Sequence, residues 1–126
     1  MTSDYLEPER LEGSPPLNAV RDDTYTLSRH SINGTQVQRE LQKGKEAHIF
    51  NEEESLSSLE KTVWLIGLYQ GVVRGWHRWT YISQVSIGRR IQKGRPDLEL
   101  YTVEIKGRLR DGRFEYHLVP RLRSAE

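Results

Sequence analysis

A chain of 126 residues has room for one domain, and with 35% apolar and 29% charged residues it is polar for a globular one. It contains no cysteine, which excludes disulfides, thiolate metal sites and a cysteine nucleophile. No apolar run approaches the ~18 residues a membrane-spanning helix needs, and residues 1–5 lack the basic and apolar regions of a secretory signal, so the cytoplasm is the expected compartment.

A net charge of +1 conceals an asymmetry. Residues 1–24 hold six acids against two arginines, a net of −4, whereas residues 71–126 hold twelve Lys and Arg against six Asp and Glu, a net of +6. The basic half fits a phosphate-rich partner. An ordinary solvated sheet face accounts for it as well.

The chain opens with Glu7-Pro-Glu-Arg and Gly13-Ser-Pro-Pro, few apolar residues and no period. Adjacent prolines and uncompensated charge predict a flexible acidic tail over 1–26, whose removal leaves stability nearly unchanged, and one packed domain over 27–122. Residues 28–34 read as a loop. Thr35 with Gln38 has the form of a capping box, Val37 and Leu41 share a face, and Gly44 is a natural stop, so a short helix is expected there. Residues 47–50 form a short extended segment. A second helix follows, started by Asn51 with Glu54, favoured by Glu52 to Glu54 at its positive end, and striped by Leu56, Leu59, Val63 and Ile66 until Gly67 or Gly71.

From Leu68 the apolar period becomes two. Strands are expected over 69–74, 79–83, 85–91, 98–109 and 113–120, with a turn cluster at 93–97. The fold class is therefore α+β, two N-terminal helices packed on a four- to five-stranded antiparallel meander. Asp111-Gly112 between alternating strands is a hairpin signal with a two-residue type I′ turn. Such a turn sets the register from Arg110 opposite Arg113; Leu109 opposite Phe114, Gly107 opposite Tyr116 and Ile105 opposite Leu118 then make a core face shared with Val103. The other face pairs Arg108 with Glu115, Lys106 with His117 and Glu104 with Val119, and Thr102 lies on the same side. A cation, an imidazole, a carboxylate and a hydroxyl thus converge on a face expected to be solvated. Cross-strand charge pairs explain part of this. Two potential cations opposite one another, Lys106 and His117, are mildly unfavourable and point beyond stability.

Arg74-Gly-Trp-His-Arg-Trp79 is the densest cluster. Trp76, Arg78 and Trp79, with Arg108, could stack bases and grip phosphates, or the indoles could cap the core. His30 sits in a polar stretch and His48 between apolar residues. The four histidines are not spaced as a metal site, and there is no phosphate-binding glycine loop or nucleophile elbow. No metal or cofactor is expected.

The runs Lys45-Glu-Ala-His-Ile-Phe-Asn51 and Val73-Arg-Gly-Trp76 and the ending Tyr116-His-Leu-Val-Pro-Arg121 resemble an uncharacterised domain family of cyanobacteria. The layout of short helices before a meandering sheet also resembles the barnase/EndoU/colicin/RelE group of small ribonuclease toxins. That resemblance implies metal-independent RNA cleavage on the open face of the sheet, with His117, Lys106, Arg74 and Thr102 in catalytic positions and His30 or His48 added from the helical half. The partners it implies are RNA and an inhibitor protein, with no membrane. The expectation is a ribonuclease-like domain; the alternative is a module that binds nucleic acid or protein without chemistry.

Overall fold

Two tight turns organise the sheet. Asp111 and Gly112 have φ of +53° and +78°, the left-handed pair a type I′ hairpin requires. Arg74 and Gly75, at +53° and +85°, repeat the device one hairpin earlier. The computed structural model describes residues 6–122. Its elements in order are β1 (Val20–Arg21), α1 (Asp23–His30), α2 (Thr35–Gln42), β2 (Ala47–Phe50), α3 (Leu56–Ile66), β3 (Leu68–Val73), β4 (Trp76–Ile82), β5 (Gly88–Gln92), β6 (Arg95–Leu100), β7 (Thr102–Arg110) and β8 (Arg113–Arg121).

The class is α+β, but the architecture is richer than a single meander. A five-stranded sheet has the order β1-β8-β7-β4-β3, and a separate three-stranded sheet has the order β2-β5-β6. Of the expected meander, β3, β4, β7 and β8 pair antiparallel in that order, but the strand expected over 85–91 pairs elsewhere, so β4 and β7 are not consecutive, and β1 adds in parallel beside β8. The β5–β6 hairpin leaves the main sheet to pair with β2. The strand expected over 98–109 is broken at Tyr101, where the chain passes from one sheet to the other; Ser83 N–H donates to Tyr101 O at 2.7 Å and Ile87 N–H to Leu100 O at 2.8 Å. The β7–β8 register runs from Arg110 opposite Arg113 through Lys106 opposite His117 to Thr102 opposite Arg121, as the turn alone predicts.

Among the described residues three helices form rather than two. Helix α1 occupies residues expected as tail and loop, and the 26/27 boundary falls inside it. Asp22 caps it by accepting from Tyr25 N–H, and the buried Thr26 hydroxyl joins both the N–H and the C=O of Leu118, continuing the edge of β8 where β1 has ended. Gly34, not Thr35, is the cap residue of α2, with no side-chain bond. Ser55 caps α3, so Glu52 to Glu54 precede the helix, and Trp64 takes the core position expected of Ile66, which is 56% exposed.

Helix α3 packs Leu59, Val63 and Trp64 against Trp79, Ile105, Tyr116 and Leu118 of the main sheet. Glu60 fastens this layer, accepting from Trp64 Nε1, from the Tyr116 hydroxyl and from Arg21 on β1. Val37, Ala47, Ile49 and Ile91 form a second core between α2 and the small sheet. Residues 6–22, expected within the tail, meet the body. Glu7 accepts from Trp79 Nε1 at 2.8 Å, and Arg10 donates to Trp64 O at 2.8 Å. Among the described residues no helix is long and apolar enough to cross a membrane.

Candidate functional site

The polar face of the main sheet is not open. Helix α1 and the edge of β2 lie over β8, and Thr102, Glu104 and His117 are only 3%, 2% and 4% exposed. The expectation of a solvated face is corrected accordingly: alternation in a strand separates two faces, and a second layer decides whether the polar one sees water.

Glu104 survives burial because it is paired. Its Oε1 lies 2.9 Å from Arg121 Nη1, and its Oε2 lies 3.5 Å from Arg78 Nη1 and 3.4 Å from Thr80 Oγ1. The next row across the sheet is Arg78, Lys106 and His117, neighbours on β4, β7 and β8. Burial lowers the Lys106 pKa, the nearby Glu104 opposes that, and Arg121, Arg78 and Arg74 reinforce it.

A cleft of about 710 Å³ opens between this floor and the helical layer. Lys106, His117 and Val119 form its floor; Tyr25, Arg29 and His30 of α1 and Gln36 and Glu40 of α2 line its sides, with Lys45, Glu46, His48 and Gln92 beyond. Four of the six expected catalytic residues, His117, Lys106, His30 and His48, therefore share one cavity. Arg74 and Thr102 do not line it. Arg74 is exposed in the β3–β4 turn, and Thr102 is buried, its hydroxyl without a hydrogen-bond partner among the described residues.

The histidines differ. His30 Nδ1 is 2.8 Å from His48 O. A carbonyl only accepts, so in the neutral ring Nδ1 carries the proton and Nε2 keeps the lone pair. Burial pushes the His30 pKa down to about 4, opposed by that bond to His48 and helped by Arg29 and Lys106. His117 also falls to about 4, through burial first, then Lys106 and His30, against a small opposing effect of Asp22. Its Nε2 is covered and has no hydrogen-bond partner among the described residues. His48 Nε2 instead meets Glu46 at 2.8 Å.

A row of rings and cations crosses the face. Arg29 stands 4.8 Å from the Tyr25 ring, Tyr25 4.1 Å from His117, His117 5.2 Å from Trp76, and Arg108 4.2 Å from Trp76 on the exposed side. Of the expected binding residues, Trp76 and Arg108 thus adjoin the cleft floor. Arg78 is committed to Glu104. Trp79 is fully buried in the core, because alternation along β4 sends Trp76 and Arg78 to one face and His77 and Trp79 to the other. Tyr25, Arg29, Gln36 and Glu40 were missed. The available signal was Asp22 ahead of Tyr25 and Arg29, a cap followed by an i,i+4 pair.

Among the described residues no three His, Asp or Glu side chains gather as metal donors. No curated protein and no solved structure matches the chain. Residues 18–125 match the family described as a domain of unknown function, DUF6972, and the chain belongs to that family.

Proposed function

We propose that the cleft is an RNA-cleavage site working through side chains alone. One observation carries this reading: His30 and His117 reach the same cavity from different layers, with the charge of Lys106 acting on both. Cleavage of RNA by its own 2′-hydroxyl needs a base, an acid and a cation at the phosphate. His30 Nε2, with its lone pair free, takes the 2′-hydroxyl proton. The 2′-oxygen then attacks phosphorus and the bond to O5′ breaks. His117, protonated once phosphate charge offsets Lys106, gives its proton to O5′. The products are a 2′,3′-cyclic phosphate and a 5′-hydroxyl, and Lys106 stabilises the charge that gathers on the phosphate oxygens. The layout of short helices before a sheet, which resembles small ribonuclease toxins, is in keeping with this chemistry and with an inhibitor protein as a further partner; the proposed compartment is the cytoplasm.

A binding module without chemistry is the second reading, favoured by the near-complete burial of His117 under Tyr25. Incubation of the purified chain with RNA in EDTA separates the two. The expected result is cleavage to cyclic-phosphate ends, slowed at least ~100-fold by His30→Ala and by His117→Ala. Binding without cleavage would support the module, and cleavage abolished by EDTA would exclude a mechanism of side chains alone.

A further inference from the structure

Among the described residues the two sheets end in four outer strands, β1, β3, β2 and β6. Three of these edges are closed. β1 is two residues long, and beyond it the Thr26 hydroxyl takes over the edge of β8. β2 lies against α1, whose His30 donates to the His48 carbonyl. β6 carries Arg95, Pro96, Asp97 and Glu99, the charges and proline that keep an edge from pairing. β3 has no such guard. It contains neither charge nor proline, and it ends a run of twelve uncharged residues from Thr62 to Val73. Among the described residues no backbone group outside β4 hydrogen-bonds to it. Leu68 and Val73 on it are 69% and 41% exposed.

Single exposed apolar residues are ordinary, and a bulge can turn an edge away from partners. β3 does have a bulge, between Tyr69 and Gly71, where Gly71 has φ of +86°. Its effect on the faces points the other way. Leu68, Gly71 and Val73 lie opposite Thr80, Arg78 and Trp76 and so share the polar face; Tyr69 and Val72 share the core face. Residues five apart in a regular strand fall on opposite faces, and the extra residue brings Leu68 and Val73 to the same one. Laid antiparallel to its own copy about the bulge, the strand therefore sets Leu68 opposite Val73 and Tyr69 opposite Val72, each pair on one face.

We propose that β3 pairs antiparallel with β3 of a second copy across a two-fold axis at the bulge, joining two five-stranded sheets into one of ten strands. An open edge is satisfied by a strand, and a two-fold requires that strand to complement itself. β3 does so: no like charges oppose one another, and the exposed Leu68 and Val73 cover each other. The axis is perpendicular to the sheet, so the polar faces of both copies lie on the same side. The pairing does not depend on what the cleft does.

The test is the mass of the whole chain in solution, by light scattering after size exclusion. Twice the mass of one chain is expected. Leu68→Lys alone and Val73→Glu alone should each reduce it to that of one chain. The double variant should return to the dimer, because every introduced amine then faces an introduced carboxylate across the axis. Within one chain the two positions are too far apart in the strand to pair, so this rescue reads only the second copy. Both side chains are exposed, and circular dichroism checks that each variant is folded. A single-chain mass at every concentration up to ~1 mM would overturn the proposal and leave the edge to a strand of another protein. A dimer that persists in both single variants would overturn it in favour of another face. A double variant that stays monomeric would overturn the register on which it rests.

Discussion

Two neutral imidazoles inside one cleft tie stability to pH. His30 and His117 are both held near 4, below the ~6.5 of a free histidine. As pH falls from about 6.5 to about 4, the unfolded chain takes up protons that the folded chain refuses. Stability is therefore full above that window and is lost within it, by on the order of a few kcal/mol in total. Urea unfolding at stepped pH should show this slope, and His117→Gln should flatten it; an unchanged slope would mean that His117 does not titrate in this range. Glu104 is a different case, a buried carboxylate paired with Arg78 and Arg121. Glu104→Ala leaves two guanidinium groups facing each other and should cost on the order of 3 kcal/mol, the low end for a broken buried pair because both arginines reach solvent. A loss below ~1 kcal/mol in denaturant titration would count against the pairing.

At the scale of elements, the N-terminal segment is where sequence and structure differ most. Composition alone leaves residues 6–22 without a role, yet Glu7 is the acceptor for the indole N–H of Trp79, a fully buried core residue. Removing that carboxylate strands a buried donor. Glu7→Ala should therefore cost about 1–3 kcal/mol, and a chain lacking residues 1–12 should melt several degrees lower rather than unchanged. Identical melting curves for the full and shortened chains would restore the simple tail. Helix α1 follows the same logic. Its own composition is mostly polar, and it is held by Thr26 against the edge of β8 and by His30 against β2.

For the whole molecule, the basic half and the aromatic row bear on RNA binding. If phosphates lie along this face, log K for single-stranded RNA should fall linearly with log salt. Arg74→Ala and Arg108→Ala should each shallow the slope by roughly 0.7. Arg78→Ala should shallow it less, because Glu104 already takes much of that charge. The two tryptophans of the same strand should behave differently. Trp76→Ala should weaken binding by ~1–3 kcal/mol in a folded protein if a base stacks there, whereas Trp79→Ala should unfold the core. Affinity that ignores salt would point to a protein partner.

The β7–β8 register and its two faces were legible in the sequence because a two-residue Asp-Gly turn and a period of two leave no freedom in the pairing. Leu59 and Val63 of α3 and the stop at Gly44 were legible for the same kind of reason, local chemistry that acts within one turn of chain, whereas the exchange of Ile66 for Trp64 in the core was not. The strand positions 76–78 were hidden by a turn whose first residue, Arg74, is not one that favours a left-handed φ. The burial of Glu104 and His117, the separation of Trp76 from Trp79 between face and core, and the cleft itself depend on α1, α2 and β2 folding back over the sheet. That is a long-range packing event, and no residue carries a local signal for it. Sequence alone determined which side chains share a strand face; only the tertiary structure decided which of them meet water, which meet one another, and which enclose a cavity.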